Sequence, residues 1–167
     1  MNKKETLFHK ITKESQDSIF RICLSFVGRS EDLNDLKQDI YLQIWKSMDQ
    51  FRGESTWKTY IFRIAYNTAI KYKSRQKPST PLPENYINKA EEPFQTQGEK
   101  SLELDLLHKC IQKLAEGDRL LVSFMLEDLT YKEIADVLQL EVNHVGVKIN
   151  RVKRKLAKLI ESENGKS

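Results

Sequence analysis

At 167 residues the chain is long enough for one ordinary domain or two small ones. Charged residues make up 31% of it and hydrophobic residues 39%, with glycine and proline sparse, a composition that suits a soluble helix-rich protein and argues against a disordered or membrane-embedded one. Lys+Arg 28 against Asp+Glu 24 leaves a net charge of only +4, too small in itself to mark a nucleic-acid binder, so the distribution of charge carries the information.

Helical periodicity runs through the chain. Phe8, Ile11, Ile19, Ile22, Cys23 and Phe26 predict one long amphipathic helix ending near Gly28, and Leu33, Leu36, Ile40, Ile44 and Met48 predict a second. A third follows the polar loop Arg52–Ser55 and uses Trp57, Tyr60, Ile61, Ile64 and Ala65. Pro78, Pro81, Pro83 and Pro93 then break the pattern, so residues 78–100 read as a flexible linker. Beyond it Leu106, Leu107, Cys110, Ile111 and Leu114 form one face, and Leu120, Leu121, Phe124, Met125 and Leu129 the next. Gly117–Asp118 is expected to turn the chain between them, with Asp118 as N-cap. No segment alternates strictly enough for a sheet. The expected fold is all-α: two small helical domains, residues 1–77 and 101–163, on a flexible tether.

The segment Thr130–Leu156 reads as a helix-turn-helix. Thr130 with Glu133 is a capping box that starts the first helix, and Ile134, Ala135 and Leu138 give it an apolar face. After Gln139–Glu141, the stripe Val142, Val145, Ile149, Val152 and Leu156 predicts a second helix. Its other face carries Asn143, His144, Val147, Lys148 and Arg151, then Lys153, Arg154 and Lys155, which suits a DNA major groove.

Two stretches, Ser55–Pro83 and Lys148–Ile160, contain no acidic residue, whereas acids gather in Glu31–Asp39 and Glu99–Asp105. Two basic helices separated by acidic surface suggest two nucleic-acid contacts and a protein contact. Asp35 and Asp39, one turn apart, have no third ligand or nucleophile nearby, so catalysis or a metal site is disfavoured and the pair reads either as a solvated acidic face or as a docking surface for a basic protein partner. In Phe51–Lys77 the basic residues alternate with Trp57, Tyr60, Phe62, Tyr66 and Tyr72. Such rings either stack on unpaired bases or pack in the core, and for any one ring the core reading is favoured. Cys23 and Cys110 fall on apolar stripes with no CxxC nearby, as buried thiols of a reducing compartment would. No signal-peptide core and no apolar run of membrane-spanning length is present, and the expected location is the cytoplasm.

Asp35-Leu36, Gln38-Asp39, Tyr41-Leu42 and Ile44-Trp45 resemble the D-L-x-Q-E-x-F-L-x-V-W signature of bacterial sigma factors, in particular the extracytoplasmic-function (ECF) group. Phe51-Arg52-Gly53-Glu54-Ser55 and the run Trp57–Asn67 resemble that group's F-R-G-E-S…W-L-x-R-I-A-x-N block, and the C-terminal helix-turn-helix resembles its second domain. The resemblance covers nearly the whole chain in the family's order.

What it implies is a non-enzymatic, dissociable specificity subunit of RNA polymerase, with no catalytic residue, metal or cofactor. Asp35, Gln38, Asp39, Leu42 and Trp45 would dock on the clamp helices of the largest polymerase subunit, and the C-terminal domain near its flap. Gly53, Glu54, Ser55, Thr56, Lys58, Arg63, Asn67 and Lys71 would open and read the promoter −10 element. Asn143, His144, Val147, Lys148, Arg151 and Lys155 would meet the −35 element. An anti-sigma factor is the expected further partner, and the free chain is expected to be a monomer. A stand-alone helix-turn-helix regulator explains Thr130–Leu156 equally well but leaves the N-terminal motifs unused; an enzyme acting on nucleic acid has less support still.

Two positions depart from the family pattern. Glu141 stands where Ser or Thr is common and is the poorer N-cap, although its charge suits a helix N-terminus. Gly146 lies inside the recognition helix, where glycine costs about 1 kcal/mol relative to alanine. Either a close approach of backbone to DNA or a partner offsets that cost, or the helix firms only when bound.

Overall fold

Alternating capping signals and apolar stripes resolve into seven α-helices in the computed structural model, which describes residues 2–76 and 102–166. They are α1 (Lys3–Val27), α2 (Asp32–Ser47), α3 (Trp57–Arg75), α4 (Leu102–Gln112), α5 (Glu116–Leu126), α6 (Tyr131–Leu138) and α7 (Val142–Asn164), with a 3-10 turn at Met48–Gln50. No strand occurs among the described residues, and the all-α expectation holds. The linker expected over residues 78–100 lies outside the described residues.

The N-terminal half is a three-helix bundle. Asn2 opens α1 with a capping box: its side chain accepts the Glu5 N–H at 2.9 Å and the Glu5 carboxylate accepts the Asn2 N–H at 3.1 Å. Gly28 ends the helix at φ 61, a left-handed conformation that favours glycine, and its N–H reaches back to the Leu24 carbonyl. Ile11, Ile19, Ile22 and Cys23 of α1, Leu36, Ile40 and Ile44 of α2, and Ile61, Phe62, Ala65 and Ala69 of α3 are all buried. Burial pushes the Cys23 thiol up to about 11, which makes it a core residue with little thiolate character.

In the C-terminal half α4 and α5 pack against the helix-turn-helix α6–α7. Two expectations are corrected here. The cap of α5 comes three residues early: Ala115, not Asp118, holds the extended N-cap conformation and caps with no side chain, so Gly117 and Asp118 lie inside α5. Asp118 sits in the first turn, where its charge complements the helix dipole. Val142, assigned to the buried stripe, is 45% exposed because it occupies the first turn of α7, before the helix has crossed its partners. In α6 the fully buried residue next to Ile134 and Ala135 is Val137, with Leu138 only partly buried.

The two halves pack on each other through one continuous core, α1 against α5 and α3 against α6. Phe62 of α3 and Phe124 of α5, each 1% exposed, stack with ring centroids 5.9 Å apart. Among the described residues no helix is long and apolar enough to cross a membrane.

Candidate nucleic-acid interface

The helix-turn-helix is fixed by its caps. Thr130 and Glu133 form the expected capping box: the Thr130 side chain accepts the Glu133 N–H at 3.2 Å, and the Glu133 carboxylate accepts the Thr130 N–H at 2.7 Å. Gln139 takes the left-handed conformation at φ 56 and stops α6 there. Leu140 then donates its N–H to the Ala135 carbonyl at 3.0 Å, and Glu141 starts α7 with no side-chain cap bond. Val145, Ile149 and Val152 bury one stripe of α7, which turns the opposite side to solvent.

On that side Asn143, His144, Val147 and Arg151 are exposed, while Lys148 is half-buried. Lys155 is exposed but tied to Asp118 of α5, with its Nζ 2.7 Å from the carboxylate. Asn143, His144, Val147 and Arg151 are therefore the ones most available to a groove. Sequence reasoning missed Tyr131. It is 42% exposed, and its ring lies where a Cβ on Gly146 would come within 3.8 Å of it. Gly146 thus lies under an aromatic ring of α6, a contact that helical periodicity does not show because it joins two helices.

The N-terminal site is built around a loop. Gly53 bends it at φ 74, a backbone that a side chain would strain. Thr56 closes it as N-cap of α3, its Oγ1 accepting the Thr59 N–H at 3.2 Å. Phe51 stacks on Trp57 with centroids 3.8 Å apart and tilts against Tyr60 at 5.0 Å, and the Tyr60 hydroxyl donates to the Ser47 carbonyl at 2.9 Å. Phe62 is buried and Trp57, Tyr66 and Tyr72 pack against the core, so the core reading holds for those rings, while the half-buried Tyr60 is held by Phe51 and the Ser47 carbonyl. Gly53, Glu54 and Thr56 stay exposed, with Ser55 half-buried.

Along α3 the structure divides the predicted residues. Arg63, Asn67 and Lys71, four residues apart, share one side, with Arg63 and Lys71 exposed and Asn67 half-buried. Lys58 lies roughly 140–180° around the helix from Arg63 and Asn67 and faces the C-terminal half. Its Nζ donates to the Glu127 carbonyl at 2.5 Å and lies 3.4 Å from the Glu127 carboxylate.

On α2, Asp35 and Gln38 are exposed, Asp39 is half-buried and Leu42 is 52% exposed. This acidic face with an apolar residue beside it is open to a partner. Trp45 is not on the same footing: its ring packs edge-on against Phe8 at 5.3 Å, with Lys4 Nζ 4.5 Å above it. Among the described residues no group of three His, Cys, Asp or Glu side chains is placed to hold a metal ion.

Comparison with known proteins agrees with this layout. Residues 12–78 match the family model of Sigma-70 region 2, and residues 104–156 match that of Sigma-70, region 4. The chain is similar to the RNA polymerase sigma-H factor of Pseudomonas aeruginosa, 25% identical over 92% of this chain and 86% of that one. It is 26% identical to the ECF RNA polymerase sigma-E factor of Haemophilus influenzae, over 92% of this chain and 87% of the relative. Among solved structures it shares its fold with the sigma factor RpoE of Bartonella quintana in complex with the anti-sigma factor NepR (TM-score 0.65, 17% identity, 92% of this chain and 96% of that one). It likewise resembles CnrH in complex with the cytosolic domain of CnrY (TM-score 0.63, 21% identity, 95% and 90%). With both sigma modules present in order, the chain belongs to the sigma-70 family of RNA polymerase sigma factors, in its ECF group.

Proposed function

We propose that this protein binds core RNA polymerase and directs promoter-specific initiation, as a non-enzymatic specificity subunit. The observation that carries the reading is that one chain holds both sigma modules, each presenting an exposed face of the kind its role needs. Residues 1–77 form the module for polymerase and the −10 element, 78–100 the connection, and 101–163 the module for the −35 element. Asp35, Gln38, Asp39 and Leu42 of α2 meet the polymerase clamp, and Trp45 holds that helix on α1. The loop Gly53–Thr56 with Arg63, Asn67 and Lys71 of α3 engages the −10 element. Asn143, His144, Val147 and Arg151 of α7 enter the −35 major groove, with Lys148 toward its phosphates, while Lys155 is held by Asp118.

Each contact alone is weak for a chain of net charge +4, and the two gain effective concentration once polymerase holds both modules. The cytoplasm is where such a subunit works. Both solved neighbours are complexes, one of them named as sigma with anti-sigma factor, which supports capture of this chain by a similar protein when it is idle.

Run-off transcription with core polymerase on a randomised promoter library tests the proposal. Initiation should depend on both polymerase and this chain and select a two-part promoter. Replacing Arg151 and His144 together by alanine should weaken selection at the upstream element while sparing the downstream one. Tight, specific binding of duplex DNA by the chain alone, with no polymerase-dependent transcription, would instead point to a stand-alone regulator.

A further inference from the structure

The face that α7 turns to solvent is polar at its rim and apolar at its centre. Successive residues of a helix are about 100° apart, which puts Val147 within roughly 20° of directly opposite the buried stripe Val145, Ile149 and Val152. Val147 is 51% exposed. Its neighbours on the helix surface, three and four residues away, are Asn143, His144, Asn150 and Arg151, all exposed. Unlike Lys155, none of these side chains makes a hydrogen bond or ion pair among the described residues. Helix propensity does not explain the valine, since a β-branched residue after Gly146 puts two weak helix formers in succession. What valine supplies is stiffness. In a helix it keeps one dominant rotamer, so its methyls point in a fixed direction and lose little entropy on binding. The surroundings are those of a polyanion reader: Arg151, Lys153, Arg154 and Lys158 are exposed on the same helix, and no acid lies between Lys148 and Ile160.

We propose that Val147 reads a thymine, its methyls packing on the 5-methyl group of that base in the upstream promoter element. The inference deepens the function argued above and rests on it. In the major groove every base edge offers hydrogen-bond donors or acceptors, and thymine alone adds a methyl group. Against the edge of another base, an apolar side chain strips water from a donor or acceptor and returns no bond. Against the thymine methyl it removes water from apolar surface on both sides, which is favourable. One side chain thus favours thymine and disfavours its competitors together. Asn143, His144, Asn150 and Arg151 close round the contact, where they bond neighbouring base edges or phosphates and keep water from the methyl. The selectivity of this helix therefore turns on an apolar pivot with hydrogen bonds at its rim.

Promoters selected by the full chain with core polymerase supply the test, each thymine of the upstream element being replaced in turn, on either strand, by deoxyuridine. That change deletes the methyl and keeps the hydrogen-bonding groups. At one thymine the affinity of the wild-type holoenzyme should fall about fourfold, the worth of one methyl in an apolar contact. Val147→Ala should lose most of that difference between thymine and uracil, because the side chain that senses the methyl is cut back. With cytosine at the same position, 5-methylation should improve binding by the wild type and much less by Val147→Ala. The site is exposed and alanine is the better helix former, so the variant should keep wild-type circular dichroism and its use of the downstream element. A selected upstream element without thymine would overturn the proposal, as would the absence of any thymine whose methyl matters. A methyl effect of full size in Val147→Ala would do the same. If the chain supports no initiation with polymerase, the function proposed above fails, and the deoxyuridine comparison on duplexes bound by the chain alone still judges Val147. Binding to no duplex in either setting would sink both.

Discussion

At Gly146 a helix-weakening residue stands in the recognition helix with an aromatic ring over it. A Cβ there would meet Tyr131 at 3.8 Å, an ordinary contact, and the backbone is helical, so nothing steric demands glycine in the free protein. Gly146→Ala should therefore stabilise the C-terminal half by up to about 1 kcal/mol, read from urea denaturation. If affinity for the upstream element falls at the same time, the glycine serves close approach to DNA; if affinity is kept or improved, it serves only to leave the helix loose. Thr130→Ala removes one side of the capping box and should cost about 1 kcal/mol in the same measurement. The capping box was legible because it is a local pattern, three residues apart. Asp118 misled for a related reason: a good capping residue after glycine signals a helix start, yet Ala115 takes the extended cap conformation, so α5 starts at Glu116 and Asp118 is left for Lys155.

Among the elements, α7 combines two tasks that the sequence shows as one basic amphipathic stripe. Its N-terminal turns present Asn143, His144, Val147 and Arg151, while near its C-terminal end Glu163 binds Lys109 at 3.0 Å and also Lys113, the first within α4 and the second just after it. The bonds from Lys113 and then Lys109 hold the Glu163 carboxyl down to about 2, from an ordinary 4.5. A depressed carboxyl adds stability that is fully present above its ordinary value and lost as pH falls through the folded one. Hydrogen exchange in α4 should therefore be slower in the wild type than in Glu163→Gln at neutral pH. The two should converge as pH drops from about 4.5 toward 2, and equal exchange at neutral pH would show that the pairs add nothing. The helices themselves were readable from their 3.6-residue period, with errors confined to ends and turns. Which lysines would be spent on Glu163 or Asp118, and so lost to DNA, was not readable, since the partners sit 37 to 54 residues away.

For the whole molecule the question is whether two modules unfold as one. A single buried cluster runs through both halves, so wild-type unfolding should be one cooperative transition. Phe62→Ala and Phe124→Ala should each cost about 3–5 kcal/mol, because each empties a fully buried aromatic site. The double variant should cost less than the two added together, by about 0.5–1.5 kcal/mol, since the stack is lost only once. Two separate transitions in the wild type would show that the seam adds little. Motif order revealed two modules, yet the seam left no trace in periodicity: Phe62 reads simply as one more apolar residue, and Glu127 as one more surface acid. Reading and anchoring also share one rod. A helix of 23 residues is roughly 34 Å long. Tilting it by about 5° about the Glu163 end swings its first turn sideways by roughly 3 Å, close to the rise of one base pair. On the function proposed above, Lys109 and Lys113 act like the set-screws of a vernier: from the far end of α7 they set where Asn143 and His144 meet the upstream element.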